Sequence, residues 1–193
     1  MTDRRRMGHR TPARVMLIVV EGRSEKTYFE RFRTPESKIA VRIHESGNRT
    51  ARGMTEKCIG LIERSGLDTE TNDVIAVFDA DRSSPEEIEE AARSCSENGI
   101  QMYISNPSFE FWLLLHFEDN TATYIQDELE KRLEKHIGAK YKKSEGINKH
   151  ITDENIKKAV VRSKKLLPDG DPCKCKGTVP STCLHILVER LMK

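Results

Sequence analysis

The sequence predicts an α/β protein: a mostly parallel sheet of about four strands, flanked by helices and followed by a helical extension. Three observations predict it. The runs "RVMLIVV" (14–20) and "DVIAVFD" (73–79) are apolar without alternation, as strands buried on both faces are. Helical patterns follow each run, and strands alternating with helices build a parallel sheet with right-handed crossovers. Both runs also end in acid, Glu21 after the first and Asp79 and Asp81 after the second.

Taken in order, Ser24 is placed to cap a helix reaching about Phe32, with Tyr28 and Phe32 four apart on its inner face. "KIAVRIH" (38–44) is a more amphipathic strand, and "SGNRTARG" is a loop. A helix is expected over 54–64, with Cys58, Leu61 and Ile62 on one side. After the 73–79 strand, Ser84 and Glu87 form a capping box, Pro85 takes the first helical position and Gly99 closes the helix. "IQMYIS" (100–105) is a fourth strand, and "NPSFEFWLLLHF" (106–117) turns at Asn-Pro into a strongly apolar helix. Helical stretches at 123–137 and 152–167 are separated by the basic "GAKYKKSEG", expected to be exposed. The Pro- and Gly-rich 167–180 reads as a loop, and "STCLHILVERLM" as a closing amphipathic helix.

At 193 residues with 36% hydrophobic content, the chain suits one domain, with a sheet core at 14–120 and a helical extension at 121–193. No apolar run approaches the ~20 residues of a membrane span. Residues 1–13 read as a flexible basic arm without the apolar stretch of a signal peptide, so a soluble cytoplasmic protein is expected. The five cysteines do not form a disulfide pattern. Cys173, Cys175 and Cys183 lie near His185 as C-x-C-x7-C, but structural zinc sites favour C-x2-4-C with a second paired half. Reduced, unligated thiols are the expectation.

The net charge of +2 is unevenly spread: residues 1–14 carry +4 and residues 126–165 carry +5, which leaves −7 for the remainder. Such a layout suits a protein that grips a polyanion on one surface and holds cations on another. Arg4, Arg5 and Arg6 in the arm, with Lys140, Lys142 and Lys143, are the candidate nucleic-acid contacts. The alternative is a solvated helical face.

In open parallel sheets, functional groups gather beyond the carboxyl ends of the strands. If the two acid-ended strands are neighbours, Glu21, Asp79 and Asp81 converge, because residues two apart in extended chain point to the same side. Crowded like charges need a partner, and hard oxygen donors suit Mg²⁺ or Mn²⁺. The alternative is three ordinary surface carboxylates. Glu110 sits among Phe109, Phe111 and Trp112, where an unpaired carboxylate is costly. It either completes the site, acts as general base, or is satisfied by backbone amides at a helix start. His116, about 240° further round a helix, does not share its face and reads as a packed histidine. Glu25, in a first helical turn, suits the helix dipole as well as a site. No phosphate-binding loop and no dinucleotide fingerprint is present, so nucleotide energy would come from a separate protein.

The Glu-Gly turn after the first strand, with D-x-D after a later one, resembles the Toprim fold of topoisomerases, primases and related nucleases. More narrowly, "LIVVEGRSEKTYFERF", "VFDAD" and "NPSFEFWLLLHF", supported by "PSTCLHILVERL", resemble the RloB family over most of residues 15–192. That resemblance implies a Toprim site with metal-dependent nuclease chemistry, and a setting beside restriction-modification or anti-phage loci with an ATPase partner. It maps Glu21, Asp79 and Asp81 onto the acidic triad, and Glu25, Glu110 and His116 onto further polar positions. Where the family often has another acid and a His after D-x-D, Arg82 and Ser83 stand here.

Two other readings remain open. One is a catalytically silent module that binds nucleic acid or a phage protein, to which Arg82 lends support. The other is a haloacid-dehalogenase-like phosphatase, from the likeness of "DADRS" to D-x-D-x-T, in which the first Asp is the nucleophile. That motif normally lies on the first strand, and Glu21 would have no role.

Overall fold

The computed structural model describes residues 14–34, 39–177 and 180–193; the arm at 1–13, with Arg4, Arg5 and Arg6, lies outside the described residues. Among the described residues, five strands form one sheet in the order β2-β1-β3-β4-β5. β1 (Arg14–Val20), β2 (Ile39–Glu45), β3 (Asp73–Asp79) and β4 (Ile100–Asn106) are parallel, and β5 (Ser181–Thr182) is antiparallel at the edge. The expected α/β architecture is present, with one strand more than the sequence suggested.

β1 and β3 hold the centre, and their inner residues Ile18, Val19, Ile75 and Ala76 are fully buried. That accounts for their unbroken apolar composition. The edge strand β2 is only half-buried along most of its length, as its amphipathic pattern suggests. The short β5 pairs Thr182 with Ser105 and Ser181 with Asn106, placing a strand where the closing helix was expected to begin.

Helix starts follow their caps. α2 (Ala51–Ser65) starts three residues before the expected Met54, because the Thr50 side chain accepts from the Gly53 amide at 3.2 Å. α3 (Pro85–Glu97) carries the expected capping box and Pro, and Gly99 takes the left-handed conformation (φ 67°) after its end. α1 (Arg23–Phe29) instead starts after the extended Gly22, and continues as a 3₁₀ turn over Glu30–Phe32. Ser24 is therefore inside the helix, not its cap.

A cis Asn106–Pro107 bond leads from β4 to α4 (Phe109–Leu114), whose six residues are all buried, as suits a helix apolar at every position but Glu110. α5 (Gln126–Ile137) and α6 (Asp153–Leu166) follow, then the one-turn α7 (Pro172–Cys175) inside the expected loop, and α8 (Leu184–Leu191). α2 packs on α3, α4 on α5 and α6 on α8. Leu129, Leu133, Ile156 and Val160 of the extension belong to the same core cluster as the sheet residues. Among the described residues, no helix is long and apolar enough to cross a membrane.

Candidate functional site

Strand order decides where the site can lie. From β1 the chain goes to β2 on one side and then to β3 on the other, so the order reverses between β1 and β3. At such a switch point a crevice opens beyond the carboxyl ends of the strands. Val20 and Val77 are in register there, followed within two residues by Glu21 and Asp79. The Asp79 amide donates to Glu21 Oε2 at 3.4 Å, so the two acids stand side by side as expected.

A cavity of about 480 Å³ opens over these strand ends. Glu21, Glu25, Asp79, Asp81 and Glu110 all line it, with Arg49, Arg82 and Lys143. Asp79 is the acid most opposed by its surroundings. Burial raises its pKa well above the usual carboxylate range, and the charges of Glu25, Glu21, Glu110 and Asp81 push it further. Its Oδ1 is buried with no hydrogen-bond partner. Glu25, in the first turn of α1, is 5% exposed. Burial, with the charges of Glu110 and Glu21, raises its pKa to about 7, against its own backbone amide and Lys143. Burial raises Glu21 as well, opposed by the Asp79 amide and by Arg49 and Arg82.

Asp81 takes a rim position instead of converging with the other two. β3 ends at Asp79, and Ala80 to Ser83 form a turn closed by the Ser83 amide on the Ala80 carbonyl at 3.4 Å. Extended alternation stops there, so Asp81 is half-exposed and lies 3.9 Å from Arg82 Nε, near enough to act on Asp79 and Glu21 by charge. Ser83 faces away from the pocket's acids: its Oγ accepts from the Ala51 amide at the start of α2, at 2.9 Å.

Glu110 is satisfied by four side chains from three parts of the chain. Oε1 accepts from Ser24 Oγ at 3.1 Å, Tyr141 Oη at 3.1 Å and Lys143 Nζ at 3.2 Å, and Oε2 accepts from Ser108 Oγ at 3.1 Å. Burial pushes its pKa up, but Lys143 and the hydrogen bonds outweigh that and hold it below the usual value. His116 does not line the cavity. It is fully buried, Nδ1 donating to the Trp112 carbonyl at 3.0 Å and Nε2 accepting from Tyr28 Oη at 3.1 Å. Burial lowers its pKa to about 3, which is the packed histidine the sequence suggested.

The largest departure is "GAKYKKSEG". It folds back over the pocket: Tyr141 is buried against Glu110, and Lys143 enters the cavity wall. Lys140 and Lys142 stay exposed, and Lys142 pairs with Glu145 at 2.6 Å. Ser108, Tyr141 and Arg49 had no assigned role in the sequence reading, and Ser24 had only that of a helix cap. Arg49 lies in the loop after β2 and Ser108 two residues before Glu110, whereas Ser24 and Tyr141 reach Glu110 only through tertiary contacts.

Among the described residues, no group of three or more His, Cys, Asp or Glu stands in a geometry ready to hold a metal ion. The donor chemistry nonetheless fits a hard divalent cation, since the cavity gathers carboxylate oxygens and one buried oxygen has no partner. The C-terminal thiols have other surroundings. Cys175 and Cys183 are buried against the Ile104 carbonyl, burial raises the Cys175 pKa to about 11, and His185 Nδ1 bonds Ser163 Oγ at 2.8 Å.

The family model described as RloB-like protein matches residues 16–191. The chain belongs to the RloB-like family. No curated protein and no solved structure matches it. The match takes in every residue that lines the cavity of this RloB-like chain, from Glu21 to Lys143.

Proposed function

We propose that this pocket hydrolyses phosphodiester bonds of a nucleic acid, DNA or RNA, with Mg²⁺ or Mn²⁺, on a Toprim-like sheet. The observation that carries the reading is Asp79 Oδ1: a buried carboxylate oxygen without a partner, beside four further acids at a switch point. In its ionised form such an oxygen needs a cation beside it. Asp79 and Glu21 are the residues to hold the ion, with Asp81 and Glu110 within the same cavity. A bound divalent cation supplies charge neutralisation, activation of water and stabilisation of phosphoryl oxygens.

The chain's own groups divide the remaining work. Glu25, with its pKa near neutrality, is suited to take a proton from the attacking water, and Glu21 is the second candidate. Arg49 and Arg82 stand at the mouth, 62% and 54% exposed, where they can clamp the scissile phosphate. Arg82 thus has a use at the position where the family often has an acid. The proposal extends to an anti-phage or restriction-linked role, with a separate ATPase partner to supply nucleotide energy.

The test is incubation of the protein with mixed tRNA, single-stranded DNA and duplex DNA, in Mg²⁺ or Mn²⁺. Cleavage abolished by EDTA, by Glu21→Gln and by Asp79→Asn is the expected result. Cleavage that persists in EDTA or in Asp79→Asn would refute it. Binding of these nucleic acids without cleavage would instead favour the silent module.

A further inference from the structure

The pocket contains a cation of the chain's own. Lys143 Nζ lies 3.2 Å from Glu110 Oε1 and 3.8 Å from Glu130 Oε1, and its charge also acts on Glu25 and Asp79. Two residues earlier, Tyr141 anchors the same segment. Its hydroxyl meets Ser24 Oγ at 2.7 Å and Glu110 Oε1 at 3.1 Å, and its amide donates to Glu134 Oε1 at 3.1 Å. The two side chains differ in freedom: Tyr141 is 6% exposed, whereas the Lys143 side chain is 52% exposed.

Building on the metal-dependent reading above, we propose that Lys143 is a built-in counter-ion that holds the place of the divalent cation. The metal then loads by displacing the ammonium from Glu110, while Tyr141 keeps the segment in place. The unmet oxygen motivates this. Lys143 Nζ pairs with Glu110 and Glu130 and leaves Asp79 Oδ1 without a partner. A divalent ion brings twice the charge and takes several oxygens at once. Displacement is local, because a flexible four-carbon stem can swing into solvent without moving the backbone. Glu110 keeps its orientation when Lys143 leaves, since Ser24, Ser108 and Tyr141 still hold it. The displaced ammonium is then at the mouth, beside any phosphate that enters.

Calorimetric titration with Mn²⁺, and with Ca²⁺ as a second probe, tests this on the full chain at fixed pH and ionic strength. Lys143→Met keeps the stem and removes the charge. It is expected to bind Mn²⁺ at least tenfold more tightly than the wild type, while Lys143→Arg stays within a few-fold of it. Without metal, Lys143→Met is expected to melt below the wild type, with the gap closing at saturating Mn²⁺. Mn²⁺ affinity that is unchanged or weaker in Lys143→Met overturns the counter-ion role and leaves the hydrolase reading standing. If neither protein binds Mn²⁺ or Ca²⁺, the hydrolase reading falls, and this inference with it.

Discussion

Glu25 shows what the pocket costs the fold. Its carboxyl is pushed to about 7 from 4.5, chiefly by burial. The native state therefore holds a proton that the unfolded chain releases, so stability falls as pH rises from about 4.5 and the loss is complete above about 7. His116 works in the opposite sense: with its pKa lowered to about 3 from 6.5, stability is lost as pH falls below 6.5. The difference between wild type and Glu25→Gln isolates the first effect. In EDTA the variant's melting temperature is expected to match the wild type's near pH 4.5. Its advantage should then grow to about pH 7 and stay level beyond, reaching on the order of 1–3 kcal/mol. An advantage independent of pH would show that Glu25 is not held against its charge. At this scale Glu21 and Asp79 were legible in the sequence, because an acid ending a buried strand has no local reason to be there. Ser24, Tyr141 and Lys143 were not, because each has an ordinary local explanation (a cap, a loop aromatic, a surface lysine) and gains its role from contacts as many as 117 residues apart.

Elements with a strong period or a cap were readable; those fixed by tertiary contacts were not. β1, β3 and α3 carry their signals within themselves. β5 has two residues, too few for any period; it pairs with β4, and side chains add to that tie. Thr182 Oγ1 meets Ser105 Oγ at 2.9 Å, lies 3.2 Å from the Ile104 carbonyl and accepts from the Leu184 amide at 3.3 Å. Thr182→Val keeps the shape and removes all three bonds, leaving buried polar groups unpaired. A loss of ~1–3 kcal/mol is expected, read as a lower urea midpoint at unchanged slope. Mn²⁺ affinity should not change, because β5 lies on the edge away from the β1–β3 switch point. An unaltered midpoint would mean that β5 is held by its backbone pairing alone.

Across the whole molecule, the charge asymmetry seen in the sequence divides into two kinds of cation. Arg49, Arg82 and Lys143 belong to the acidic pocket. Many of the remaining lysines in the 126–165 region are already engaged: Lys142 with Glu145 at 2.6 Å, Lys158 with Glu154 at 2.8 Å, Lys164 with Glu189 at 2.6 Å and Lys165 with Asp119 at 3.0 Å. The net +5 of that region therefore overstates its field, which local sequence could not reveal, since two of these partners, Glu189 and Asp119, lie outside the region itself. Exposed pairs of this kind are weak, so a phosphate can still take Lys142 from Glu145. For duplex DNA each neutralised phosphate contributes about −0.9 to the slope of log affinity against log salt. Binding in Ca²⁺, with Lys140 and Lys142 both changed to Gln, is expected to flatten that slope by up to about 2. Asp79→Asn should leave the slope as it is, because the pocket acids carry no phosphate contact of their own. If the double variant binds with the wild-type slope, these two lysines form a solvated face, and the polyanion is gripped by the pocket-mouth arginines and the basic arm.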